Sequence, residues 1–476
     1  MPLHLGTRAD LDGRQLQPFH LPPSHLLTHA VVVGMTGSGK TGLVAVLVEE
    51  ALRNGIPALI FDIKGDLPNL ALAFPSFEVE AMRPWVEAPP DDLDGIADDP
   101  VVEAAVAQRR EGLAKSAIAE AELQAYAART RVRVITPGSD AGEGVHLLSA
   151  LERSHPRWTS GSATDRAGAR ATLSAAVSLV LRLIGQRGEP GQSREHALLC
   201  ALAERLLERG DDAPLERLLP EILEPPFETL GALLVDDYLP LPKRKELAAD
   251  LNTLLASPSF AAWRRGPSLD VGAWMAPDPD DPERRTPATV FSVAHLDDDE
   301  REIVLGVVLE EVLTWVRSLP GTSRLRGLVV FDELYGFLPP HPRQPPTKRP
   351  LVALMKQARA YGVGCVFATQ NPMDLDYRAL SNAGLWCIGR LQTDADRARV
   401  LEGLGEDKKN SQLGGIVKRL RQRWFVVRDA KGDEVAMLRP RWAMSYLKGP
   451  MTPHEIRGLR GDDGEARASG TMPSIG

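Results

Sequence analysis

The chain has 476 residues, of which 43% are hydrophobic, 25% charged and 5% aromatic, and its formal net charge is −8. At ~150 residues per domain this is about three domain-sized units, or one large α/β core carrying insertions. The composition excludes a wholly disordered chain, a collagen or a disulfide scaffold, and the acidic balance leaves no global basic field to attract nucleic acid.

Residues 1–28 are short polar and apolar pieces with Pro18, Pro22 and Pro23. His29 to Val33 is a β-branched run ending at Gly34, the pattern of a buried parallel strand. After Gly39, apolar groups at Leu43, Val46, Leu47 and Ala51 follow helical spacing, and Asn54-Gly55 is a stop signal. Pro57 to Phe61 is a second buried strand, which completes a βαβ unit. A Pro- and Asp-rich loop is expected over 84–100, a helix or helical pair from Pro100 to Arg129, and a third strand from Arg131 to Thr136.

From Ala163 to Ala256 the pattern is almost wholly helical, with Gly and Pro turns at 185–191, 210–214 and 225–226. A leucine-rich face at Leu198, Leu199, Leu202 and Leu206 marks this stretch as a helical insertion. A Pro- and acid-rich loop closes it at Pro287. Strands are then expected at Ala288 to His295, Gly327 to Phe331, Gly364 to Thr369 and Ala383 to Leu391, with helices at Asp299 to Arg317 and Leu351 to Tyr361. Alternating strands and helices predict an α/β fold: a mostly parallel sheet with helices on both faces, interrupted by an all-helical insertion. The expected division is 1–150 for the first part of the core, 151–287 for the insertion, 288–447 for the second part, and a disordered tail over 448–476.

Cys200, Cys365 and Cys387 lie far apart without a CxxC pair, which fits idle thiols in a reducing compartment. The amino terminus has no apolar run after a basic start, and no apolar stretch approaches the ~20 residues that span a bilayer. A cytoplasmic location without a membrane partner is the expectation.

Gly34-Met-Thr-Gly-Ser-Gly-Lys-Thr41 satisfies GxxxxGK[ST] between a predicted strand and a predicted helix. Gly34, Thr36, Gly37, Ser38 and Gly39 let backbone N–H groups point inward at phosphate, where the helix N-terminus adds positive potential. Lys40 would reach the β- and γ-phosphates and the Thr41 hydroxyl would ligate Mg2+. Leu328 to Phe331 is a buried strand ending in two carboxylates: Asp332 to hold Mg2+ and Glu333 to polarise the attacking water. Gln370, at the end of another strand, is placed to sense the γ-phosphate or orient water, unless it only caps the strand. Asp62 and Lys64, ending the second strand, are candidates for metal, nucleotide or neighbouring-subunit contact, with plain loop charge as the alternative.

No LSGGQ-like signature precedes the Asp332-Glu333 strand, since Gln412-Leu-Gly-Gly415 follows it, which disfavours a transporter ATPase. Asp332-Glu-Leu-Tyr335 lacks the DxxG of a GTPase, and Asn371-Pro-Met-Asp374 has Pro where guanine recognition expects Lys, so ATP is the expected nucleotide.

Read in order, four segments resemble the HerA/FtsK superfamily of P-loop motor ATPases, within it the HerA-like group. They are His29 to Thr41, Ile60 to Leu67, Val329 to Glu333, and Lys356 to Gly364 leading into Ala368-Thr-Gln370. The resemblance implies a RecA-like core assembled as a hexameric ring, with ATP at subunit interfaces and double-stranded DNA in the pore. It also implies an arginine supplied in trans, for which Arg390 and Arg397 are the candidates, Arg397 preferred and Arg359 a third. Such motors usually carry an amino-terminal β-barrel, whereas fewer than 30 residues precede the first predicted core strand here. A nuclease is a possible further partner.

Lys408-Lys409, Lys418 to Arg423, Lys348-Arg349 and Lys243 to Lys245 are the basic clusters from which a DNA-gripping pore lining would be drawn, against the alternative of solvated helix faces. The leading reading is an ATP hydrolase that translocates or unwinds duplex DNA. Its rival is an ATP-dependent switch or assembly protein that binds a protein partner and moves no DNA.

Overall fold

The computed structural model describes residues 1–460 apart from 12, 15, 88–98, 187, 189, 371, 377–379, 381, 382, 404–407 and 433. Among them the strands are β1 (Leu3–Ala9), β2 (Gln17–Leu21), β3 (Ala30–Val33), β4 (Ala58–Asp62), β5 (Thr130–Ile135), β6 (Thr229–Leu230) and β7 (Leu233–Leu234). The second half adds β8 (Thr286–Ser292), β9 (Gly327–Phe331), β10 (Val363–Thr369), β11 (Leu385–Ile388), β12 (Phe425–Asp429) and β13 (Glu434–Pro440). All but β6 and β7 join one sheet in the order β2-β1-β13-β12-β11-β3-β10-β9-β4-β8-β5. The seven neighbours from β11 to β5 pair in parallel. From β12 outward the pairing is antiparallel.

Successive side chains on a strand point to opposite faces, so the run Ala30-Val-Val-Val33 is divided between two cores. Val31 and Val33 pack in one with Phe61, Phe331 and Phe367. Ala30 and Val32 pack in the other with Ile60, Val330 and Ala368. The second core is covered by α1 (Lys40–Arg53), whose Leu43, Val46 and Leu47 lie within it. The first is covered by α2 (Ala163–Leu183), α3 (Asp298–Ser318) and α4 (Lys348–Gln357), whose apolar residues belong to the same continuous cluster as the strands. Gly168 of α2 permits the close approach to α3, since a Cβ there would lie 2.5 Å from Thr314 Cγ2.

The α/β architecture with a mostly parallel sheet is as expected, and three features depart from the sequence reading. Residues 1–28 contain β1 and β2, and the segment after residue 420 contains β12 and β13. Gly6, at φ +142°, lies by a register shift that breaks the alternation of β1, and β1 pairs with β13, more than 400 residues away in sequence. Neither property shows in a local pattern. The stretch from Ala163 to Ala256 is not all-helical, because the short hairpin β6–β7 interrupts it. Finally, residues after 448 do not start a free tail: Met451 N donates to Gly65 O at 2.9 Å, and Met451 and Ile456 are buried. Residues 461–476 lie outside the described residues, as does most of the expected loop at 84–100.

All three cysteines are unpaired, and burial pushes each thiol up to about 12, which makes them poor nucleophiles. Among the described residues no helix is long and apolar enough to cross a membrane.

Candidate active site

The loop from Gly34 to Gly39 is suspended between the ends of two strands. Gly34 N donates to Thr369 O at 3.3 Å, beyond β10, and Met35 N donates to Arg390 O at 2.8 Å, beyond β11. Gly37 (φ +76°) and Gly39 (φ +96°) occupy the left-handed region, which side-chain-bearing residues adopt only under strain. Among the described residues the N–H groups of Thr36, Gly37 and Gly39 have no acceptor, and the buried Ser38 hydroxyl has no partner. Unmatched donors converging at a helix N-terminus form a nest for an anion.

Lys40 enters this nest from the first turn of α1. It is only 6% exposed, and its ammonium donates to Gly34 O at 2.6 Å and Met35 O at 3.3 Å. Burial pushes it down to about 8, with Lys64 acting in the same direction and Glu333 and Asp332 opposing. Thr41 follows it in the same turn, partly exposed.

Strand β10 lies between β3 and β9, so the end of β10 stands between the phosphate loop and the two carboxylates. Gln370 makes that connection. Its side-chain oxygen accepts from the Thr36 hydroxyl, and its N–H donates to Glu333 Oε1 at 3.3 Å. Glu333 also accepts from Tyr335 N at 3.4 Å and pairs with Lys64 Nζ at 2.8 Å. Asp332 is 1% exposed and its Oδ2 has no partner. Burial pushes its carboxyl up to about 7, reinforced by the nearby Asp62 charge and opposed by Lys64. A buried carboxylate with an unmatched oxygen and a pKa raised into the neutral range is suited to holding a hard cation. The Asp332 and Thr41 oxygens therefore fit Mg2+.

Asp62 is placed differently from a nucleotide ligand. Its Oδ1 accepts from Gly65 N at 3.0 Å and Leu67 N at 3.4 Å, and its Oδ2 accepts from Ser292 Oγ at 2.8 Å. Fully buried, and with its pKa raised to about 6 by that burial, it organises the turn that aims Lys64 at Glu333. The preference for Arg397 as an arginine offered to a neighbour also meets an obstacle. Its guanidinium donates to Leu391 O at 3.2 Å and pairs with Asp394, both in its own turn. Arg390 is exposed, but its carbonyl receives Met35 N, so it stands beside its own phosphate loop.

The basic clusters fare unequally. Arg244 pairs with Asp236, Lys243 with Glu246, Lys348 with Asp376 and Pro339 O, and Arg349 with Glu310. Lys418, Arg419, Arg421 and Arg423 remain exposed, while the side chains of Lys408 and Lys409 lie outside the described residues. The role of Arg441 had no sequence signal. Its guanidinium is fully buried and bridges Glu49 at 2.8 Å and Glu50 at 3.0 Å, both on α1. Glu49 in turn accepts from Met444 N and Ser445 N. The helix that follows the phosphate loop is thereby tied to the carboxyl-terminal segment.

A parallel sheet with this loop after β3, an aspartate and a glutamate after β9, and a connecting glutamine after β10 has the layout of a P-loop nucleotide-binding fold. The family model for the central domain of the HerA helicase matches residues 11–96. VirB4 of Thermoanaerobacter pseudethanolicus is similar in fold, with a TM-score of 0.51 and 13% identity over 92% of this chain and 96% of that one. The conjugative coupling protein TrwB gives 0.49 in its unbound monoclinic form, at 13% identity over 94% of this chain and 90% of that one. In complex with the GTP analogue GDPNP it gives 0.48, at 13% identity over 95% and 97%. No curated protein matches in sequence. The family-model match over residues 11–96 and the fold likeness to VirB4 point the same way as the resemblance carried by the four sequence segments.

Proposed function

We propose that the protein is an ATP-hydrolysing motor of HerA-like type that translocates along or unwinds double-stranded DNA as a ring, the hexamer being the expected assembly. The observation that carries the hydrolytic part is the convergence at one sheet edge of unmatched loop N–H groups, Lys40, the unpartnered Asp332 oxygen and Glu333, with Gln370 joining loop to glutamate. In this reading the loop N–H groups and Lys40 hold and neutralise the phosphates, and Glu333 accepts the proton of the attacking water. Thr41 and Asp332 would hold Mg2+, which would supply neutralisation of phosphate charge.

Lys64 has a part here as well. Pairing with it holds Glu333 while no γ-phosphate competes for the ammonium, and Gln370 links the loading of the loop to the glutamate. The DNA half of the proposal is supported by the match of residues 11–96 to the HerA central-domain model and by the exposed cations Lys418, Arg419 and Arg421. Their position on one short segment suits a ring, where a few side chains per subunit multiply into a positive lining. A cytoplasmic site of action and a nuclease partner would accord with this reading.

The test is ATPase activity with and without duplex DNA, on material whose mass in solution has been measured. Stimulation by duplex together with a mass near six chains is expected. Hydrolysis indifferent to DNA would favour the ATP-dependent switch acting on a protein partner.

A further inference from the structure

Arg423 closes one of the basic clusters that were candidates for a DNA-gripping lining, and the fold places it beside the phosphate loop. Its N–H donates to Ser38 O at 3.1 Å, inside the phosphate loop. Its side chain passes so close to Gly39 that a Cβ on that glycine would lie 3.2 Å from Arg423 Cγ. The residue sits at φ +61°, a left-handed conformation that a non-glycine residue keeps only when its surroundings demand it.

The guanidinium lies over the Trp442 ring, 5.1 Å from its centroid. The Trp442 backbone N–H donates to Ser116 Oγ at 2.9 Å, and its ring packs against Gly112, where a Cβ would come within 2.3 Å. Among the described residues no carboxylate pairs with Arg423. A backbone in the left-handed region thus holds an exposed guanidinium over an indole, beside the phosphate loop.

We propose that Arg423, seated on Trp442, is the platform for the nucleobase of the bound nucleotide. The inference rests on reading the phosphate loop as a nucleotide site and adds the part of that site that lies beyond the phosphates. Lys40 and the loop N–H groups already converge on the anion. The planar guanidinium, by contrast, presents a face, and nucleobases stack on arginine planes as they do on aromatic rings. Arg423 acts on binding and touches no reacting atom.

The test uses the full chain and two probes, ATP and inorganic tripolyphosphate, measured by calorimetry. The variant Arg423→Gly removes the guanidinium and relieves the positive φ, so it keeps the fold; circular dichroism and retained tripolyphosphate binding verify this. Affinity for ATP is expected to fall about tenfold, the size of a partly desolvated cation–π or stacking contact, with tripolyphosphate changed less than twofold. Arg423→Lys, which keeps the charge without the plane, is expected to lie close to Arg423→Gly. Equal losses for both probes would assign the contact to phosphate and overturn the proposal. Unchanged ATP affinity would overturn it too, most plainly if duplex binding fell instead, returning the residue to the DNA surface. Wild-type protein that binds neither probe would remove the nucleotide reading itself, an outcome separate from any effect of the variant.

Discussion

Asp332→Asn should make the apoprotein more stable while abolishing its hydrolysis, and the structure sets the size of the gain. Asp332 is 1% exposed, has an unmatched oxygen, and lies near the buried Asp62. Its carboxyl, ordinarily at 3.8, is raised to about 7, chiefly by burial. At ~1.36 kcal/mol per pH unit, that gap corresponds to about 4 kcal/mol against the charged form in the folded state. Because the folded value is the higher one, the protonated group favours the fold fully below pH 3.8, and this benefit disappears as pH rises through about 7. Asparagine carries no charge at any pH. The variant should therefore exceed wild type by about 4 kcal/mol at pH 8 and by roughly 2 kcal/mol or less at pH 5. With unfolding entropy of ~2.1 cal/mol/K per residue, the pH 8 difference is a rise of about 4 °C in Tm if the chain melts as a unit. Thermal melts at both pH values in a chelating buffer without nucleotide read it directly. A variant no more stable at pH 8, or one whose gain is the same at both pH values, would refute the picture of Asp332 as a charge held at a folding cost for the sake of a cation.

Lys40→Ala is expected to abolish binding of both ATP and tripolyphosphate, whereas Glu333→Gln should bind ATP with near wild-type affinity and turn it over at least 100-fold more slowly; normal turnover in the glutamine variant would remove Glu333 from the mechanism. Arg441→Ala leaves Glu49 and Glu50 buried without their cation, and urea titration should show a loss of about 3–5 kcal/mol. Gly112→Ala drives a methyl group into the Trp442 ring and should cost about 1–3 kcal/mol while also weakening ATP binding, because it unseats the platform of Arg423. If Gly112→Ala melts like wild type, the close helix–indole contact is not as described.

The phosphate loop was fully legible in the linear chain because its chemistry is local. Anion binding by backbone N–H groups requires glycines at φ values such as those of Gly37 and Gly39, and the lysine must follow at the first helical turn. The parallel strands were legible for a related reason: strands buried on both faces read as continuous apolar runs, as Ala30-Val-Val-Val33 and Gly327-Leu-Val-Val-Phe331 do. Asp332, Glu333 and Gln370 could be nominated from their positions at strand ends.

Which of these groups meet was decided only in three dimensions. Strand order places β10 between β3 and β9, and that order makes Gln370 the link from Thr36 to Glu333. Arg441 reaches Glu49 across nearly 400 residues, and Arg423 reaches Ser38 across a similar interval, so no local pattern marks either contact. Asp62 was a candidate for metal, nucleotide or subunit contact, and here its oxygens accept from Gly65 N, Leu67 N and Ser292 Oγ of β8, because a carboxylate at a strand end faces whichever donors its surroundings supply. Local chemistry is written in residue types and spacing. The partners of a charge are set by topology, which brings distant segments to one edge of the sheet.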